Sequence, residues 1–482
     1  MYTLTKEVEI KNNTILTNQI VSNTTNNYQS TENDNLSIIE SGKDKVVFNK
    51  IVHVIQGAKK LICLQSFLIQ DSKIIDALLE KVKNDNVKVY VLSSANTRLE
   101  KIESEENSIL TDYKKLLETK FKNNFIFRSS ENFHAKYILI DPDTKNTKGY
   151  LCTNNFTENG FSKNIEISVE LNKLQCNELF QVFVYHFWEQ ATHEQNGTKT
   201  FDFVKPMNQF IFPKLNNLIV TSPNSEHSTL EKEIIQNCEI AKKSISLATY
   251  NFDINHEIIQ LLIKKSNQNI KITLFCHPKF NELENYKKLS DNGIKIILHE
   301  NFHAKSLVID DKIGFLFTGN IDNFSMKKNL EIGIKLNDEQ TIGLIKILNH
   351  WEKNLSFIFT KIISVQDINQ LVEIRKEGNI KKNSKAYETI QETKQLKTVA
   401  NLVSFFDVKR FKMNNYVKSF HLNLKATFEK TTKTELIFNS DNYCILEEKK
   451  QKIIVINSNF TKNEISKIEK YKNFTLFCAD NI

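Results

Sequence analysis

Two ten-residue stretches of this chain, NFHAKYILID at 132–141 and NFHAKSLVID at 301–310, each set a histidine and a lysine two residues apart. In both, an apolar run follows and ends in aspartate. An imidazole can attack phosphorus or pass a proton, and an ammonium neutralises the oxygens around a reacting phosphoryl group. Residues two apart on an extended strand share one face, so His134 and Lys136 are expected to project together, as are His303 and Lys305. Burying such a pair beside YILI or SLVI is costly unless an anion meets it. Brought into one pocket, the two pairs would make a phosphate site with a neutral imidazole as nucleophile and a protonated one as acid.

The likeness of the two stretches extends well beyond them. LCTNNFTENGFSKNIEISVEL from Leu151 aligns without gaps on LFTGNIDNFSMKKNLEIGIKL from Leu316, and Ala58-Lys59-Lys60 matches Ala241-Lys242-Lys243 upstream. The polar residues common to both copies downstream of the lysines include Asp141/Asp310, Thr153/Thr318, Asn155/Asn320 and Glu166/Glu331. The asparagine amides supply neutral donors for phosphoryl oxygens. Each glutamate is placed to accept from the distal ring nitrogen of a histidine and so fix its tautomer. Asp141 and Asp310 end apolar strands and are expected to hold the following turn, a structural role. The other nine histidines are expected to be packed or solvated.

An internal repeat of this length organises the whole fold. Each copy reads as an amphipathic helix (about 45–60; 228–243), a strand (61–67; 244–250), a helix (73–84; 255–267) and a second strand (87–93; 270–276). After another helical segment come strands ending at the two HAK motifs, then a closing helix that carries one of the two tryptophans, Trp188 or Trp351. The expected organisation is a polar arm at 1–44, a first lobe at 45–194, a proline-bearing crossover at 195–226, a second lobe at 227–358, and a small basic α+β appendage at 359–482.

These motifs resemble those of the phospholipase D superfamily: H-x-K-x4-D, then G-S-x-N, then a glutamate. Both copies fit the first letter for letter, and glutamate follows asparagine by eleven residues in both. The Gly-Ser of the family is Cys152-Thr153 in one copy and Phe317-Thr318 in the other, and the loop DPDTKNTKG is longer than its counterpart. The resemblance, spanning about 45–355, implies an α/β fold of two pseudo-twofold-related α/β/α sandwich lobes sharing one active site. It further implies a phosphodiesterase working through a phosphohistidine, with His134 the nucleophile, His303 the general acid, and Thr153, Thr318, Asn155 and Asn320 at the phosphate. No cofactor or metal is called for.

Composition bounds the substrate less tightly. The chain has 482 residues, of which 40% are hydrophobic and 25% charged, values of a globular protein. Lys6, Glu7, Glu9 and Lys11 interrupt any signal-peptide core, and no run approaches the roughly 20 apolar residues of a membrane span. A cytoplasmic location is therefore expected. The seven cysteines form no C-x-x-C pair and read as reduced core residues. Of the 65 basic and 57 acidic residues, 22 and 14 follow Leu355, so the whole net charge of +8 lies in the last quarter. Lys409, Arg410, Lys412 and Lys418 alternate there with Phe405, Phe406, Phe411, Tyr416 and Phe420. That pattern favours nucleic acid over phospholipid as partner, with peripheral membrane contact as the alternative. A phospholipase D-type enzyme acting on phospholipids is the second reading, and a fold that binds without turnover the third.

Overall fold

A computed structural model describes residues 18–24, 27–31, 37–42, 45–95, 115–116, 121–197 and 202–361, together with the backbone of short strands between 372 and 479. The chain forms two compact units, the larger made of residues 26–277 and 292–355 and the smaller of 1–25, 278–291 and 356–482. Both copies of the repeat lie in the larger unit.

Strands are numbered along the chain from β1 (Asn18–Ser22), which belongs to the smaller unit. In the first lobe come β2 (Ile38–Glu40), β3 (Leu61–Gln65), β4 (Lys88–Ser93), β5 (Phe125–Ser129), β6 (Tyr137–Ile140), β7 (Lys148–Cys152), β8 (Ile167–Glu170), β9 (His193–Gln195) and β10 (Asp202–Phe203). They form one sheet in the order β10-β9-β5-β4-β3-β6-β7-β8-β2. β3, β4 and β5 are parallel, whereas β6, β7, β8 and β2 continue antiparallel. The second lobe has β11 (Leu218–Thr221), β12 (Ser244–Ala248), β13 (Lys271–Cys276), β14 (Lys295–Leu298), β15 (Ser306–Ile309), β16 (Ile313–Phe317) and β17 (Glu331–Lys335). Its order, β14-β13-β12-β15-β16-β17-β11, repeats that of the first lobe strand for strand from β5 to β2.

Local chemistry sets these elements. The helix Ser72–Asp85 begins where the Asp71 carboxylate accepts the amides of Lys73 and Ile74, and it buries Ile74, Ile75, Leu78 and Val82 on one face. It ends at Asn86, whose φ of 52° takes the left-handed turn that asparagine tolerates. Helices Lys173–Tyr185 and Asp338–Asn354 open with the same reciprocal capping box, Asn172 with Gln175 and Asn337 with Gln340. Continuous apolar runs make the strands two-sided, and one buried cluster draws on both lobes, including Phe133, Ile165 and Phe183 with Phe302, Leu330 and Trp351. Trp351 is fully buried there; Trp188 is only partly covered.

The expected polar arm divides. β1 pairs antiparallel with β18 (Phe357–Lys361) in the smaller unit, while β2 pairs with β8 in the larger. In the smaller unit Tyr286, on the helix Leu283–Asp291, packs against Phe359, and a four-stranded sheet runs Glu435–Asn439, Tyr443–Glu448, Gln451–Asn457 and Phe474–Ala479. Within the appendage, the segment ISKIEKY, whose apolar spacing reads as a helix, and the side chains from Phe405 to Phe420 lie outside the described residues. The same holds for most of the segment between β4 and β5. Among the described residues, no helix is long and apolar enough to cross a membrane.

Candidate active site

The HAK motifs sit immediately before β6 and β15 rather than inside them, a correction to the strand placement expected from their apolar sequels. The backbone explains the shift: the amides of His134, Ala135 and His303 donate to the opposite lobe, and pairing with the neighbouring strand begins only at the carbonyls of Lys136 and Lys305, which accept from Cys152 and Phe317. His134 and Ala135 amides donate to the Leu330 carbonyl at 3.3 and 3.0 Å, and Leu330 returns its amide to Asn132 at 2.7 Å. In mirror fashion His303 donates to Ile165 at 3.0 Å and Ile165 donates to Asn301 at 2.8 Å.

That exchange delivers each glutamate to the other lobe's histidine. His134 Nδ1 lies 2.7 Å from Glu331 Oε1, and His303 Nδ1 lies 2.5 Å from Glu166 Oε1. Both carboxylates are fully buried, and both imidazoles keep some exposure. Each lysine lies on the same side as its own histidine, as two-residue spacing requires. Lys136 Nζ is 2.9 Å from His134 Nδ1, Lys305 Nζ is 2.9 Å from His303 Nδ1, and each also donates to the carbonyl of that histidine.

Burial dominates the electrostatics. It pushes the Lys136 ammonium down to about 7, with help from Lys305, and Lys305 down to about 8, against the pull of both glutamates. His303 is pushed down to about 4 by the same burial, which Glu166 only partly opposes, and His134 is lowered likewise. Burial would raise Glu331, but the facing His134 and Lys136 hold it down to about 2; His303 and Lys305 likewise lower Glu166. At neutral pH the carboxylates are therefore anionic and the imidazoles neutral. A carboxylate on Nδ1 keeps the proton there and leaves the Nε2 lone pair free.

Other expected residues take different places. Thr153 and Thr318, expected at the phosphate, are fully buried, and their hydroxyls donate to Glu166 Oε2 and Glu331 Oε2 at 2.6 Å each. They also accept the amides of Ile167 and Ile332, so they brace the glutamates and have no free donor for a ligand. Asn155 and Asn320 carry side-chain oxygens that are buried without a partner in this structure. Asp141 accepts three backbone amides, from Lys59, Lys60 and Leu61, and Asp310 accepts the matching three from Lys242, Lys243 and Ser244. Both aspartates have positive φ, 47° and 54°, at the tip of the strand they close. Cys152 and Phe317, where the family has glycine, end β7 and β16 with their side chains in the core.

Two neighbours escaped the sequence reading. Phe67 packs on His134 with ring centroids 4.8 Å apart, and Tyr250 packs on His303 at 4.9 Å. They occupy matching positions just past β3 and β12, so extending the repeat alignment through LICLQSF and SISLATY pairs them.

The family model described as "Cardiolipin synthase, PLD-like domain" matches residues 51–189 and 234–356, one span over each histidine-lysine pair. The chain belongs to the phospholipase D superfamily. Curated relatives include "Cardiolipin synthase 1" of Bacillus anthracis, 23% identical over 326 residues, covering 62% of this chain and 63% of that protein. "Major cardiolipin synthase ClsA" of Bacillus subtilis is 23% identical over 331 residues, covering 64% and 66%. This chain thus spans a little under two thirds of the length of these relatives. Among solved structures, a phosphatidylserine synthase of Haemophilus influenzae Rd KW20 superposes with a TM-score of 0.51 at 11% identity, covering 69% of this chain and 92% of that one. The shared architecture is the phospholipase D fold. The comparisons favour the phospholipid alternative over the nuclease reading drawn from the basic terminal segment, because relatives over the catalytic lobes carry the names of lipid enzymes. Charge alone does not choose between them, since phosphate backbones and anionic headgroups attract lysine by one Coulomb term.

Proposed function

We propose that this chain transfers a phosphatidyl group between alcohols, taking a phospholipid as donor. The observation that supports it most is the pair of crossed histidine-glutamate contacts at 2.7 and 2.5 Å, each with a buried lysine alongside. Nε2 of His134 attacks phosphorus, the bond to the leaving alcohol breaks, and His303, neutral in the free enzyme and taking up a proton as the anionic phosphodiester binds beside it, gives that oxygen its proton. The order of the two histidines follows the family resemblance. An acceptor hydroxyl then yields its proton to His303 as its oxygen displaces the phosphorus–nitrogen bond. Water as acceptor gives hydrolysis; a lipid glycerol hydroxyl gives transfer. Lys136 and Lys305 neutralise the phosphoryl oxygens throughout, which is the work a divalent ion does elsewhere.

The substrate class follows the names of the relatives. Phosphatidylglycerol in mixed detergent micelles, incubated with the purified protein and chelator, should yield a diphosphatidyl product and free glycerol by mass spectrometry. Cleavage of single- or double-stranded nucleic acid in parallel, with no lipid product, would return the assignment to a nuclease. Activity lost to chelator and restored by a divalent ion would remove the lysines from the role given to them.

A further inference from the structure

Of the nine large apolar side chains standing exposed among the described residues, four fall within one short stretch: Phe203, Met207, Phe210 and Ile211. Ile211 is 92% exposed and Phe203 68%. Such a ribbon on a loop is ordinary only if the loop is loose, and this one is built. The Glu189 carboxylate accepts the amides of Asn208, Gln209 and Phe210 at 2.8, 3.0 and 3.0 Å, and Asn208 adopts a φ of 55° to make the turn. Met207 donates its amide to the Trp188 carbonyl, and the Phe210 ring stacks on Trp188, which in turn carries the Arg128 guanidinium. The backbone is thereby pinned while the apolar groups point outward.

Strand register says where the ribbon lies. β6 starts with Tyr137 opposite Gln65, the last residue of β3, so His134 leaves the sheet at the carboxyl end of the parallel strands. β9 starts at the same end, with His193 opposite Ser129 of β5, and β10 returns to it, with Phe203 opposite His193. The ribbon therefore emerges from the same end of the sheet as the catalytic motif. β10 is five strands from β6, a lateral offset of roughly 24 Å at ordinary strand spacing. Lys205 and Lys214 are exposed on this segment, and between Asp202 and Lys214 no other acidic residue occurs.

We propose that the segment Phe203–Ile211 seats on the surface of an anionic phospholipid bilayer, so that the sheet end bearing His134 meets the lipid. The inference rests on the phospholipid reading and deepens it. A substrate anchored by its acyl chains must be met at the interface, no described helix spans a membrane, and exposed aromatic and aliphatic groups flanked by lysine suit that boundary.

The test compares the full chain with Phe203→Ser/Ile211→Ser in sedimentation with vesicles of phosphatidylglycerol and phosphatidylcholine. Vesicle affinity should fall at least tenfold, while turnover of bis-p-nitrophenyl phosphate, a soluble diester, stays at the wild-type rate and shows the fold is intact. Ile211→Trp provides a second reading: its fluorescence should be quenched by brominated lipid in the same vesicles. Equal vesicle binding by wild type and the double variant, or a tryptophan at 211 that brominated lipid leaves unquenched, overturns the proposal. So does a double variant that loses self-association instead, since the ribbon would then cover a second copy of the chain. Failure of the wild type to turn over phospholipid in detergent micelles would strike the substrate reading alone, because vesicle binding is scored separately.

Discussion

His134 in the first lobe and His303 in the second are held by the opposite lobe's glutamate, by a lysine two residues on, and behind that by a threonine, with distances that agree within 0.2 Å. Their aromatic walls differ: Phe67 covers one imidazole and Tyr250 the other, and Tyr250 has His277 4.9 Å beyond it. The turn after the aspartate differs as well, nine residues of DPDTKNTKG against the compact DDKIG. What the lobes share is the apparatus that orients an imidazole; of what they do not share, the aromatic ring lies against the imidazole, whereas the turn closes the far end of β6, where Asp141 accepts the amides of Lys59, Lys60 and Leu61. A symmetric pair of imidazoles under unlike aromatic rings is an arrangement in which the two can be told apart by mutation.

The largest expected effect tests the shared part. His134→Ala and His303→Ala should each lower kcat on a soluble diester by about 10⁴ while circular dichroism stays unchanged, because the two act as one unit. The same pair sharpens the asymmetry: a nitrophenol leaving group should rescue formation of phosphoryl-enzyme in the His303 variant only, and rescue in the His134 variant would exchange the roles. Next in size, Glu331→Gln and Glu166→Gln should each cost on the order of 10²-fold in kcat, since an amide presents the wrong group to Nδ1. The comparison breaks if Glu166→Gln disables His134 chemistry, read as phosphoryl-enzyme formation, more than His303 chemistry.

A smaller effect comes from the lysines. With Lys136 at about 7 and Lys305 at about 8, kcat/KM of the free enzyme should fall as pH rises through 7 to 8, and Lys136→Arg should carry that limb upward. Stability moves the other way. In the unfolded chain a lysine stays protonated to about pH 10, so between pH 7 and 10 the unfolded state binds more protons than the fold. Wild type should therefore gain melting temperature relative to Lys136→Met across that range, and a constant difference would contradict the burial. Least for turnover, Asp141→Ala should leave kcat within about twofold yet cost about 2 kcal/mol or more in denaturant unfolding, for the loss of three amide contacts. Asp310→Ala, less buried, should cost less.

Much of the centre was readable in the letters. Two copies of H-x-K-x4-D with asparagine and glutamate downstream name ten of the polar residues, and apolar runs such as VKVYVL and IKITLF mark the strands that carry them. The crossed pairing was not readable, because 137 residues separate Glu166 from His303 and spacing along the chain says nothing about which lobe a carboxylate meets. Threonine misled for a chemical reason: a hydroxyl that would hold phosphate and one that braces a carboxylate are the same group, and only burial tells them apart. The substrate was not readable for an electrostatic reason: the surplus of lysine lies beyond the catalytic lobes, and its sign does not distinguish a nucleic acid from a lipid headgroup.

The exchange of Ile165 and Leu330 between lobes, each carrying the neighbouring glutamate across, has a consequence for recombination and descent. Neither half of the repeat owns a complete imidazole-carboxylate pair. A chimera joining the first lobe of this chain to the second lobe of a distant relative would have to match two backbone crossings and two side-chain pairs at once. A half-length chain, by contrast, would satisfy every one of those contacts by meeting its own copy head to head, so duplication and fusion need create no new interaction.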